Sequence, residues 1–322
     1  MWASYAMTIG IGFVFPGQGS QSVGMGRLFH DASEASRRTY EEASSVLGYD
    51  VAALCFDGPA ERLNLTEFTQ PALLTASIAA WRACGFDGIK PVAVAGHSLG
   101  EYTALVAAGA VSFPEGVSLV QKRGRYMAES VPAGTGLVAA LLGLSAELTQ
   151  AACNEASSIG TVAPANFNCP GQIVIAGERA AVERAIELAK AKGAKRAVPL
   201  PVSVPVHTPL MKRAADRLAQ DLAASHWSDL QVLLVNNADA VVIRSVADIQ
   251  PSLVKQLPSP VQWEESVRKM AAMGATTFVE VGPGTVLTGL IKRIVPDATT
   301  FNVQDPASLD ATCAALEARS SA

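Results

Sequence analysis

A short apolar run, Pro91 to Ala95 (PVAVA), leads straight into Gly96-His97-Ser98-Leu99-Gly100 and then into Glu101 to Ala110, which has helical composition. Continuous apolar character without polar alternation is expected of a strand buried on both faces of a parallel sheet. Parallel strands are joined by crossovers, usually helices, so this unit predicts an α/β chain with a mainly parallel sheet. Ile9 to Phe15 reads as another such strand, broken by Pro16-Gly17-Gln18-Gly19-Ser20-Gln21. Helices are expected at Ser33 to Leu47, Gln70 to Cys84 and Pro114 to Glu129, the last with Pro114 in its first turn.

The pattern changes after Val131-Pro132-Ala133-Gly134. Leu137 to Leu144 reads as a strand, Ala146 to Ser157 as a helix, and Thr161 to Phe167 and Gln172 to Ala176 as strands about an Asn-Cys-Pro-Gly turn. A helix, Arg179 to Lys192, and a strand, Ala194 to Val202, follow. The order β-α-β-β-α-β is the ferredoxin-like split arrangement. A length of 322 residues is where one core stops growing and a companion domain is expected. The expected organisation is an α/β catalytic domain of residues 1–130 and 203–322, with residues 131–202 as an inserted ferredoxin-like domain. Leu200 to Val206 is a strand-like run with prolines. Beyond it the chain returns to α/β material: helix Pro209 to Ala224, strand Val232 to Asn236, helix Gln262 to Met273, strand Thr277 to Val281, helix Thr285 to Ile294, and a terminal strand and helix from Ala298.

Composition narrows the function. Apolar residues are 49% and charged residues 17%, which excludes global disorder. Lys plus Arg is 25 against 29 for Asp plus Glu, so the basic excess of a general nucleic-acid binder is missing. The five cysteines are scattered without a C-x-x-C pair and the four histidines without H-E-x-x-H, so neither a disulfide framework nor a metal site is expected. No segment approaches the ~18 apolar residues of a membrane span. Met1 to Phe15 has no Lys or Arg before its apolar stretch, unlike a signal peptide, and Met7 offers an alternative start, with residues 1–6 then either an upstream extension or a non-native remnant. A soluble cytoplasmic chain is expected.

Gly96-His97-Ser98-Leu99-Gly100 matches G-x-S-x-G, the nucleophile elbow, in the strand-turn-helix setting that motif needs. The turn lifts the Ser98 hydroxyl to the sheet edge and aims the Leu99 N–H at a developing oxyanion. A serine hydroxyl needs a base. His97 is adjacent but points away at a tight turn, and His30 and His226 sit in polar surroundings. His207, at a strand-to-helix loop, is the candidate. No aspartate occurs between Asp87 and Asp216, so an Asp between Ser98 and His207 is impossible. Either a neutral acceptor orients His207 or an acid comes from elsewhere. Gly17-Gln18-Gly19 and Gly282-Pro283-Gly284 fall short of a dinucleotide fingerprint, and no P-loop is present.

Phe13 to Gln21 (FVFPGQGSQ), Gln70 to Ser77 (QPALLTAS), Ala95 to Gly109 (AGHSLGEYTALVAAG), Lys122-Arg123-Gly124, Asn166 to Gly177 (NFNCPGQIVIAG), Pro199 to His207 (PLPVSVPVH), Asn236 to Asp239 (NNAD), Pro260 to Val267 (PVQWEESV) and Val279 to Leu290 (VEVGPGTVLTGL) together resemble the malonyl-CoA:acyl-carrier-protein transacylase family of bacterial dissociated fatty-acid synthesis. The resemblance runs from about Ile9 to Val295 and implies an α/β-hydrolase-like large domain. It implies that Ser98 attacks a malonyl thioester with His207 as base, that Gln18 supplies a second oxyanion-hole N–H beside Leu99, and that Arg123 pairs with the malonyl carboxylate. It implies that the Gln256 carbonyl accepts the His207 N–H, in place of the missing aspartate. Asn166, Asn168, Gln172, His97 and Met127 are implied on the substrate side. No cofactor is implied, since the CoA thioester is a substrate; the partner is acyl carrier protein and the enzyme a monomer. Val206, Thr208, Pro209, Pro258 and Ser259 depart from the common pattern and leave acyl preference open. An editing hydrolase, a polyketide loading enzyme and a non-catalytic carrier-binding module are the competing readings. An acidic carrier needs a local basic surface; Lys192, Lys195, Arg196, Lys212 and Arg213 are either that surface or ordinary solvated charge.

Overall fold

The computed structural model describes residues 10–86, 89–132, 134–200, 202 and 204–320. Ile9, Ala133, Pro201 and Ser203 of the expected segments lie outside them, as do residues 1–6. Among the described residues the strands are β1 (Ile11–Phe15), β2 (Ala93–Gly96), β3 (Gly136–Leu142), β4 (Val162–Cys169), β5 (Gln172–Glu178), β6 (Arg196–Pro199), β7 (Leu234–Val235), β8 (Val242–Ile243), β9 (Thr277–Val281) and β10 (Thr299–Val303).

Six of them form one sheet in the order β10-β9-β1-β2-β7-β8, parallel throughout except for the β7–β8 edge pair. Every residue of β1, β2 and β9 is buried, because both faces are covered. The strand period of two divides them cleanly. Ile11, Phe13 and Phe15 enter the core formed with the helix Thr66–Cys84 and its neighbours, while Val14, Ala93 and Ala95 enter a second core with Trp263, Phe278 and Leu287.

β3 to β6 form a separate antiparallel sheet in the order β4-β5-β3-β6. Its helices, Ala146–Ala156 and Arg179–Ala191, pack on one face around Leu141, Ile175 and Val182. The other face carries Val138, Ala165, Val174 and Ala176. This sheet is tied to the large one through β4: the Phe167 N–H donates to the Val261 carbonyl, and the Val261 N–H to that of Ala165 (2.9 and 2.8 Å).

Several expected elements shift. The helix expected from Gln70 starts at Thr66 with Pro71 inside it; the Thr69 N–H has already closed the first turn on the Leu65 carbonyl (2.8 Å) before the proline intervenes. The strand expected over Ala194 to Val202 shortens to Arg196–Pro199. Val204 to His207 is a turn rather than the end of a strand, since Pro205 has no N–H for a ladder. Pro209–Met211 is a 3₁₀ turn ahead of the helix Lys212–Ala224. The helix Val246–Gln256 is not anticipated from the pattern, because Pro251 interrupts it. No helix among the described residues is long and apolar enough to cross a membrane.

Candidate active site

β2 ends at Gly96, and the helix Gly100–Ala107 starts four residues later. The crossing is so tight that a Cβ on Gly96 would lie 1.9 Å from the Gly100 carbonyl oxygen, and one on Gly100 2.1 Å from that of Phe15. Ser98 sits between them in the left-handed region at φ 53°. A non-glycine residue held there is strained, and such strain concentrates at functional sites.

The Ser98 Oγ lies 2.7 Å from Nε2 of His207, which is buried and itself left-handed at φ 58°. The other ring nitrogen, Nδ1, is 3.0 Å from the backbone carbonyl oxygen of Gln256. A carbonyl only accepts, so Nδ1 carries the proton and Nε2 is left to accept from the serine hydroxyl. Burial, and secondarily the charge of Arg123, push the His207 pKa down to about 3. The imidazole is therefore a neutral acceptor at neutral pH.

Arg123, on the helix Phe113–Ala128, is 1% exposed. Nη1 donates to Oε1 of Gln70 (2.8 Å), and Nη2 donates to Oε1 of Gln256 (2.9 Å) and to Ser98 Oγ (3.2 Å). All three acceptors are neutral. The Tyr102 ring lies 5.5 Å beneath the guanidinium carbon.

These groups open onto a cavity of about 190 Å³ whose wall includes Gln18, Ser98, Leu99, Arg123, Met127 and His207. Asn166 and Asn168 of β4 also line it, as do Val138 and Val174 from the free face of the small sheet. His97 also lines the cavity, with Nε2 2.8 Å from Oδ1 of Asn168 and its ring edge-on to Trp263. Of the expected residues, Gln256 reaches the site through Arg123 and the Ser98 carbonyl rather than through the cavity wall, and Gln172 does not reach it. Gln172 stands at the far end of the β4–β5 turn, outside the cavity wall, and its Oε1 accepts from Nη1 of Arg293 (2.7 Å). Among the expected docking cations, Lys192 pairs with Glu155 and Lys212 with Asp216.

The acyl transferase domain family matches residues 12–308. The chain belongs to that family. Within it the chain falls among the malonyl CoA-acyl carrier protein transacylases. It is 53% identical over 300 residues to the enzyme of that name from Salmonella typhimurium, spanning 93% of this chain and 97% of the relative, and 48% identical to that of Bacillus subtilis over 93% and 95%. A solved acyl carrier protein S-malonyltransferase from Vibrio cholerae superposes with a TM-score of 0.91 at 51% identity, covering 94% of this chain and 99% of that one. A malonyl-transacylase solved with a type II PKS acyl-carrier protein gives 0.92 at 49%, covering 95% and 99%.

Three residues of this candidate site escape the sequence reading. Gln70 holds Arg123 through Oε1, and its Nε2 reaches the Met127 sulfur (3.3 Å). Asn237 clamps the elbow: Oδ1 accepts the Ser98 N–H (2.6 Å) and Nδ2 donates to the Gly96 carbonyl (2.7 Å). Glu101, 1% exposed, accepts on Oε2 from the Asn237 N–H and from Gln256 Nε2, both at 2.9 Å. Burial raises its pKa to about 7. Each lies in one of the motifs quoted above, and the only available signal was a polar residue within a buried apolar pattern.

Proposed function

We propose that the chain moves a malonyl group from malonyl-CoA to the phosphopantetheine thiol of acyl carrier protein through a malonyl-Ser98 intermediate. One observation carries this reading: a serine oxygen 2.7 Å from a neutral imidazole nitrogen also lies 3.2 Å from a buried guanidinium that touches no carboxylate. In the first half-reaction Ser98 Oγ attacks the thioester carbonyl as its proton passes to His207 Nε2. The backbone N–H groups of Gln18 and Leu99 hold the resulting oxyanion. Collapse breaks the C–S bond, and the departing CoA thiolate takes the proton from His207. In the second half the carrier thiol gives its proton to His207 and attacks the ester carbonyl, and Ser98 leaves with that proton restored. Nucleophile, base and oxyanion donors all come from the chain, so the reaction as proposed needs no cofactor.

Arg123 is read as the partner of the malonyl carboxylate, matching its two oxygens with a planar fork. Asn166, Asn168, His97 and Met127 shape the acyl end of the cavity. The carbonyl of Gln256 takes the orienting role of a triad carboxylate. An acyl hydrolase gains nothing from a buried guanidinium beside its nucleophile, which favours the transferase. Residues 131–202 are read as an inserted ferredoxin-like domain that closes the cavity, and residues 1–130 with 203–322 as an α/β-hydrolase-like domain, the whole acting as a cytoplasmic enzyme. Lys195, Arg196 and Arg213 remain the candidate surface for an acidic carrier.

The intact mass after mixing with malonyl-CoA tests the reading. One malonyl group is expected, mapping to Ser98 and missing in Ser98→Ala. An adduct on the Ser98→Ala protein, or one mapped to a cysteine, overturns it.

A further inference from the structure

We propose that Glu101 is a positioning residue for this site, its ionised carboxylate fixing the Gln256 amide and, through it, Arg123 and Ser98. The inference rests on the transfer reaction proposed above. Gln256 stands at a junction. Its Oε1 accepts from the Arg123 fork, its Nε2 donates to the Ser98 carbonyl (3.0 Å) and to Glu101, and its backbone carbonyl holds His207. Turning the amide over would set a donor against the guanidinium and an acceptor against both a carbonyl and a carboxylate. Glu101 forbids that turn, because an ionised carboxylate only accepts.

The chain Glu101–Gln256–Arg123 is thus a buried anion and a buried cation joined through one amide, each end polarising the next bond. The same Glu101 oxygen also takes the Asn237 N–H, and Asn237 carries the Ser98 N–H and the Gly96 carbonyl. One carboxylate therefore holds the backbone of the nucleophile and the side chain that sets the fork.

The charged and titratable groups around Glu101 pull in both directions. Burial is the largest influence and raises its pKa; Asp239, in the turn after β7, adds to that. Donation from Gln256 and Asn237 and the charge of Arg123 oppose it. Tyr102, next on the same helix, is held neutral by burial. His207 stays neutral across the same range, so its titration lies well below that of Glu101. Below the Glu101 midpoint the carboxyl is protonated and the fixed acceptor is lost, so activity should fall as pH falls through about 7.

The test measures the rate of Ser98 loading from malonyl-CoA, by rapid quench and intact mass, between pH 6 and 8.5. This half-reaction contains no attacking thiol to titrate. The wild type should show one limb near pH 7 rising to a plateau. Glu101→Gln, which mimics the protonated form, should show no limb and lie about 10- to 100-fold below that plateau, the scale of a lost hydrogen bond to a charged group. A residue serving stability alone would lower the rate equally at every pH and keep the limb. A Glu101→Gln profile with the wild-type limb, or a wild-type rate at pH 8, overturns the proposal. Failure of the wild type itself to load Ser98 overturns the transfer reaction, and this role with it.

Discussion

Replacing Arg123 by Ala should change which acyl group the site accepts. The guanidinium is 1% exposed and its three contacts at 2.8–3.2 Å are all to neutral oxygens, so a malonyl carboxylate would be the first anion to touch it. A carboxylate entering this cavity loses water and needs a paired cation to offset that loss. Truncating one partner of such a buried, hydrogen-bonded charge pair costs about 2–5 kcal/mol, or roughly 30- to 5,000-fold in kcat/KM at 1.36 kcal/mol per decade. Acetyl carries no charge and loses none of this. The variant also strands Oε1 of Gln70 and of Gln256, but that damage is common to both acyl groups and cancels in their ratio. The assay is kcat/KM for malonyl-CoA and acetyl-CoA with one carrier thiol. Wild type should favour malonyl strongly, Arg123→Ala should collapse the preference while keeping acetyl transfer, and Arg123→Lys should restore malonyl only in part, since one ammonium cannot reproduce a fork. An unchanged malonyl-to-acetyl ratio in Arg123→Ala refutes the reasoning.

His207→Ala should cut Ser98 loading about 10²- to 10⁴-fold, the scale of lost general-base catalysis, and single-turnover mass measurements read it directly; a loss below tenfold removes His207 as the base. Gly100→Ala should destabilise the fold by about 1–3 kcal/mol, because the new Cβ would lie 2.1 Å from the Phe15 carbonyl oxygen and must push β1 away from the elbow. Urea unfolding measures it, and a wild-type midpoint would mean the turn is looser than its geometry requires.

What the sequence discloses divides by distance along the chain. The elbow is legible because its parts are neighbours: a strand buried on both faces, two glycines at the crossing, and a helix directly behind. The strands and helices of the small sheet are legible for the same reason, since four strands and two helices come from one continuous segment. The supports of the elbow are not local. Asn237 lies 139 residues from the Ser98 it clamps and Gln256 lies 155 from Glu101, so no periodicity within a helix or strand can register either pairing. Gln256 is harder still, because it orients His207 with a backbone carbonyl that any residue would provide, on a helix whose pattern Pro251 breaks. Gln172 shows the converse: lying in a site-lining segment does not make a residue part of the site, and a turn at the strand end hands its side chain to Arg293.

Burial supplies the missing clue. Gln70, Glu101, Arg123, Asn237 and Gln256 are each at most 1% exposed, though residues of these types favour the surface. A buried polar group is costly unless it is partnered, and here the partners are largely one another. Their network touches the nucleophile by its backbone N–H, its carbonyl and its hydroxyl. Desolvation therefore does two things with the same residues. It makes the network costly to disturb, which holds Ser98 in a strained conformation, and it leaves Arg123 charged with no anion in contact until a substrate supplies one. With Arg123 in the role proposed above, rigidity and acyl selectivity would share a single physical origin, so a substitution that loosens the network should reduce both together.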